Sequence, residues 1–300
     1  MQNAKLLNYF HLHFIIFIWG FTAVLGALIS IDAIPLVWYR MLLATGFIFL
    51  FIKARKINLK FSKKALAGFL LAGVIIAVHW LFFFGAIKVA NVSVTLAIMS
   101  TGAFFTSLLE PIFFRRKIIW YEVFFGLIVI VGLYIIFKVE TNYVLGIILA
   151  LCSSFLGALF SVINGKFAVK YNASAISFYE LLFGMLCITV YLGLNGSYTP
   201  SFFQLSVNDW ILLLILASVC TAYAFIASVH VMKWISPYTV MLSINMEPVY
   251  GIVLALLILG DSENMSPAFY YGAAIIVVTV VCNGIIKTKL ERKKQRITSS

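Results

Sequence analysis

Away from the ends of runs that are otherwise apolar stand the ionisable side chains Arg40, His79, Glu180 and Glu247. An ion in hydrocarbon is costly unless it is paired or hydrated, so each marks either a functional group or a buried polar network. Arg40 and Glu180 share a context of opposite charge, Trp38-Tyr39-Arg40-Met41-Leu42-Leu43 against Phe178-Tyr179-Glu180-Leu181-Leu182-Phe183. A guanidinium fork takes a carboxylate and a carboxylate takes an ammonium, so the pair could hold both ends of a zwitterion. The alternative is that each is neutralised by local partners and steadies the bundle. Glu247 precedes Pro248, whose ring removes a backbone donor and frees the carbonyl of Ile244 beside Asn245. Glu247 is therefore a candidate proton-coupling or solute-binding carboxyl, or else part of a hydrogen-bonded hinge. His79, followed by Trp80, is a candidate ligand or a satisfied buried imidazole. Tyr39, Trp80 and Tyr179 stand beside these charges and suit an apolar pocket with a few polar groups. The candidate solute-binding set is Arg40, Tyr39, His79, Trp80, Tyr179, Glu180 and Asn245, with Glu247 as the coupling residue. Glu110-Pro111 repeats the dipeptide close to a span end and reads as interfacial, as do His11, His13 and His230.

The elements that position these groups follow from composition. Of 300 residues, 63% are hydrophobic and 11% charged, against roughly half and a quarter in soluble domains. Mean hydropathy is +1.08, so the surplus apolar surface needs lipid. The apolar runs are Phe10–Ser30, Ile34–Ile52, Ala65–Ile87, Val92–Phe114, Trp120–Phe137, Tyr143–Gly165, Ala173–Leu194, Trp210–Met232, Ser236–Leu259 and Pro267–Ile286. Each is about 18–24 residues, enough to cross roughly 30 Å of hydrocarbon as a helix. They are continuously apolar, unlike barrel strands, and backbone groups in lipid must be satisfied within each segment. The expected fold is all-α and polytopic. The first run is longer than a signal-peptide core and has no clear cleavage site, so it reads as a span.

Charge sets the orientation. With the N-terminus inside, the loops after even-numbered runs and the tail hold Lys53, Arg55, Lys56, Lys60, Lys63, Lys64, Arg115, Arg116, Lys117, Lys166, Lys170, Lys233 and the basic end from Lys287. The opposite loops hold Lys88 and Lys138 with Asp32, Glu140, Asp209, Asp261 and Glu263. This split places both termini in the cytoplasm. It also accounts for the net charge of +12 without a nucleic-acid face. Cys152, Cys187, Cys220 and Cys282 lack ligand-type spacing and read as small buried hydrophobes. The tail from Lys287 to Ser300 is expected to be disordered past its first turn. Small residues recur along the sixth run, at Ser153, Gly157, Ser161 and Gly165, and allow close helix approach.

The two halves repeat weakly at an offset near 140–145: the Tyr39 and Tyr179 segments, then Ile87-Lys88-Val89 and Met232-Lys233-Trp234. Five spans per half is odd, so the second copy is inverted, which places a solute site near the midplane. The order of Trp19-Gly20, Asn245-Met246-Glu247-Pro248-Val249-Tyr250 and Leu259-Gly260-Asp261-Ser262-Glu263 leading into Gly272 resembles the EamA family of the drug/metabolite transporter superfamily. The resemblance covers nearly the whole chain. It implies two five-helix repeats, here 1–138 and 139–288 followed by a basic tail 289–300, and export or exchange of amino acids or related metabolites. Phe114-Arg115-Arg116-Lys117 stands where many relatives have a glycine-glutamate step, which leaves the substrate open.

The expected function is secondary transport by alternating access in the inner membrane, with a small-molecule substrate and the lipid bilayer as partners. A homodimer is allowed for, and nucleic acid, cofactor, metal and catalytic residues are not expected. No Walker-type loop is present, so ATP is not the direct energy source. The alternatives are a passive facilitator or lipid flippase and, lower, an intramembrane enzyme, for which no HExxH or Ser/His arrangement appears.

Overall fold

The structure, a computed structural model, describes residues 2–115, 120–231, 234, 243–244 and 246–298. Among them the chain is helical, with no strand. The helices are α1 (Gln2–Leu28), α2 (Ala33–Ala54), α3 (Lys63–Val89), α4 (Val92–Met99), α5 (Gly102–Phe114), α6 (Trp120–Val139), α7 (Val144–Ala168), α8 (Ala173–Leu194), α9 (Val207–Ala217), α10 (Ala224–Val231), α11 (Glu247–Leu259) and α12 (Pro267–Thr298). Eight described stretches are long and apolar enough to cross a membrane. The other two expected spans are α6, whose apolar stretch is the shorter Phe124–Ile136, and α11, whose described part has 13 residues.

Sequence signals set several starts. The side chains of Ser62, Asn91, Asn172 and Ser206 accept from the backbone N–H of Ala65, Val94, Ser174 and Asp209, capping α3, α4, α8 and α9. Three expectations are corrected. The fourth run is two helices, α4 and α5, parted at Ser100–Thr101. The eighth run is α9 and α10 joined by a π-helical segment, Ser218–Tyr223. The tail from Lys287 is helical to Thr298, consistent with its Lys, Arg, Glu and Gln content. The cysteines also differ from expectation. Cys220 is buried, but Cys152, Cys187 and Cys282 lie on the outer surface of the bundle, where lipid suits an apolar thiol as well as a core does.

The packing exchanges under a shift of five spans. Span three (α3) packs on spans six and seven (α7, α8), and span eight (α9, π segment, α10) packs on spans one and two (α1, α2). Span four (α4, α5) packs on span six, and span nine (α11) on span one. Spans two and seven, four and nine, and five and ten pack on each other. The tyrosines of the two matched segments behave alike. Tyr39 donates to the carbonyl of Phe202 (3.1 Å) in the loop before span eight, and Tyr179 to that of Leu59 (2.8 Å) before span three.

Three crossings depend on paired glycines. A Cβ on Gly73 would stand 2.5 Å from the Glu180 carbonyl oxygen, and one on Gly184 2.7 Å from that of Gly73. Gly20 meets Gly251 and Gly132 meets Gly272 in the same way. Without a hydrophobic force between helices in lipid, such close approach is a main source of cohesion. Gly73→Ala should therefore lower the thermal midpoint of detergent-solubilised protein, by about 1–3 kcal/mol of overpacking. The comparison is Gly46→Ala, where nothing lies within 4 Å and alanine's helix propensity acts alone. Equal midpoints for the two variants would refute the packing role.

Candidate functional site

A cavity of about 160 Å³ opens at mid-depth where the broken span four and the start of α11 meet spans one, two, three and six. An apolar cavity of about 150 Å³ takes one benzene-sized molecule, so this one suits a small solute. Its floor is discontinuous backbone. Met99, Ser100, Gly102 and Ala103 come from the α4–α5 break, Glu247 and Pro248 from the start of α11, and Ile244 from just ahead of it. Broken helices at membrane depth are tolerated where they line a cavity, and their N-terminal ends favour anionic groups. Both α5 and α11 begin here. Pro248 stands in the first turn of α11, where a missing N–H costs nothing.

Arg40 supplies the positive charge. Only 2% of its surface is exposed. Its Nε donates to Thr221 Oγ1 (2.7 Å), and its guanidinium lies over the Trp80 ring at 3.8 Å. Phe84 stands further off at 5.4 Å. These contacts fix the plane of the fork. Nη1 is buried and has no hydrogen-bond partner among the described residues. Thr221 is presented by the π segment and itself donates to the Leu216 carbonyl (2.7 Å), five residues back. Single π-bulges of this kind recur at functional sites because they turn a side chain out of register. Glu247 lines the same cavity and is the carboxylate that acts on Arg40 electrostatically.

His79 is held from α7. Its Nδ1 lies 2.8 Å from the Ser153 carbonyl oxygen and 2.9 Å from Ser153 Oγ. A carbonyl only accepts, so Nδ1 carries the proton and, in the neutral ring, Nε2 is the acceptor. The ring stands 3.0 Å from where a Cβ on Gly157 would be, which ties the small residues of α7 to the placement of this imidazole. Trp19, Phe83, Phe160 and Phe225 complete the apolar wall, and Thr22, Ser154 and Ser161 add hydroxyls.

The structure thus brings together Arg40, His79, Trp80 and Glu247 from the sequence-derived set. Tyr39, Tyr179 and Glu180 are not among the lining residues. The two tyrosines anchor loops, as described above. Glu180, 1% exposed, accepts from Asn164 Nδ2 (2.9 Å) and so does not stand opposite Arg40 across the cavity. Asn245 lies outside the described residues. Sequence reasoning missed Thr221, Phe225 and the Ser100–Gly102 break. Only the last carried a signal, a Ser-Thr-Gly run inside an apolar stretch.

A polytopic helical bundle with a broken span beside a polar-flecked cavity at mid-depth is the architecture of a membrane transporter. The comparisons agree. The EamA-like transporter family matches residues 9–138 and again 144–285, and the chain belongs to this family. An "Uncharacterized transporter" of Clostridium kluyveri is 24% identical over 224 residues, covering 72% of this chain and 71% of the relative. A solved protein structure superposes with a TM-score of 0.66 at 16% identity, over 96% of this chain and 99% of the other, which supports the fold.

Proposed function

We propose that this EamA-family transporter exports amino acids or closely related small metabolites by alternating access between two inverted halves, 1–138 and 139–288. The observation that carries the reading is Arg40 Nη1, a buried donor without a partner among the described residues, beside a cavity that also holds a carboxylate. Buried donors left unpaired cost about 1–3 kcal/mol, a penalty that a bound carboxylate removes. Glu247 and the acceptor nitrogen of His79 then suit the ammonium end, and Trp19, Trp80 and Phe225 suit an apolar side chain. Arg40 and Glu247 take the roles first given to Arg40 and Glu180. Glu247 is in addition the carboxyl proposed to carry the coupling proton. The exchangeable packing of the spans and the two family matches support the two-half division. The basic loops support a cell-membrane protein with both termini in the cytoplasm.

The test compares metabolites in cells and medium with the gene deleted and overexpressed, followed by counterflow of the responding solutes in proteoliposomes. An α-amino acid or similar zwitterion should rise in the medium on overexpression and exchange across vesicles. A response confined to lipids, or to uncharged solutes, would overturn the substrate assignment.

A further inference from the structure

The two halves close the ends of the bundle differently, and one of the differences is the carboxylate of Asp209. At the end remote from the N-terminus, Asp209 Oδ1 accepts from the Ser30 backbone N–H (2.7 Å) and Oδ2 from the Ser30 hydroxyl (2.7 Å). Ser206 Oγ donates to the same Oδ2 (2.7 Å), and the Asp209 N–H donates back to Ser206 Oγ (3.0 Å). Lys88 Nζ donates to the Ile29 carbonyl one residue before Ser30. The residues just after α1, the end of α3 and the start of α9 are thereby tied at one point. Asp209 is 2% exposed, so these bonds are sheltered from water.

The caps Ser62 and Ser206 fix the register between the halves, and they start equivalent spans, three and eight. In that register Ala65 stands where Asp209 does, and its N–H fills the same place on its cap. The equivalent of Ser30, set by Tyr39 and Tyr179, is Lys170. The N-terminal end therefore has the tyrosine anchor from Tyr179 and an aromatic cluster of Phe61, Phe69, Tyr171 and Tyr179, but no equivalent carboxylate. In an inverted repeat the two access states interchange the conformations of the halves. A bond between the halves that is present at one end of the bundle alone makes those states unequal, because it is gained in one and lost in the other.

We propose that Asp209, with Ser30 and Lys88, is the latch that holds the transporter closed at the end remote from its termini, and that opening this latch is the step that lets solute leave there. It matters only if solute crosses by alternating access, as proposed above, so the test reads the gate and not the solute. The four cysteines are replaced, Ser161→Cys is introduced in the cavity wall, and labelling by a membrane-impermeant thiol reagent is followed in intact cells and in inverted vesicles. Asp209→Ala should raise the labelling rate from the remote side by roughly tenfold, the worth of charge-assisted bonds, and lower it from the terminal side. Ser30→Ala, which keeps the carboxylate, should move both rates in the same directions by less, and it serves if Asp209→Ala does not fold. A rise on both sides would mean general loosening, and unchanged rates would mean no latch. Either result overturns the proposal, while failure to find a transported zwitterion leaves the labelling result standing.

Discussion

Replacing Arg40 with alanine should abolish measurable solute binding and flux, and Arg40→Lys should restore only a small part of either. The guanidinium is positioned before any solute arrives: Nε is tied to Thr221 and its face lies against Trp80. That leaves Nη1 desolvated and without a partner among the described residues, so a carboxylate meeting it gains a charge-assisted bond without first displacing one of them. Such bonds contribute about 1.5–3 kcal/mol, which corresponds to a fall in affinity of roughly ten- to a hundredfold. Lysine keeps the charge but has neither a planar face for Trp80 nor a fork that can bond Thr221 and solute at once. Direct binding to purified protein, with counterflow in proteoliposomes, checks both variants. Near-native binding by Arg40→Ala would remove this residue from the site.

The membrane fold was legible because it depends on length and polarity alone, which chain composition displays directly. The site was legible in part. Arg40 and Glu247 announced themselves as charges in apolar runs, and both line the cavity. Glu180 did so equally, yet it faces Asn164 on a neighbouring helix. Nothing local distinguishes a charge satisfied by the next helix from one aimed into a cavity, because the difference lies in helix rotation about the bundle axis. The glycine pairs show the same limit. Gly73 and Gly184 are ordinary helix residues in sequence, and only their crossing makes them contacts. The π segment that presents Thr221 is hidden for another reason. Ser218-Val219-Cys220-Thr221-Ala222-Tyr223 has no breaker, and the extra residue is accommodated by packing against α1 and α2. The discontinuity at Ser100–Gly102 was visible as composition but was overruled by the apolar length of its span.

Glu247→Gln should separate transport from its driving force. Glutamine has nearly the same shape and can still hydrogen-bond in the first turn of α11, so the cavity keeps its form. It can neither bear a charge nor release a proton. Solute counterflow, which needs only binding and alternation, should therefore continue, although more weakly where an ammonium group has lost its counter-ion. Acceleration of net flux by an imposed proton gradient should disappear. The change in favourable dipole interaction at the α11 N-terminus is only about 0.3–1 kcal/mol, too small to mimic this split. Glu180→Gln is the matched comparison. Its carboxyl is buried against Asn164 outside the cavity lining, so the response to the gradient should survive. Three outcomes assign the roles. Loss of gradient response with counterflow retained makes Glu247 the coupling group. Loss of both makes it a solute ligand alone. Loss in Glu180→Gln with Glu247→Gln unaffected moves the coupling proton to the interface of α7 and α8, because a carboxyl there could gain or lose a proton only as those helices part.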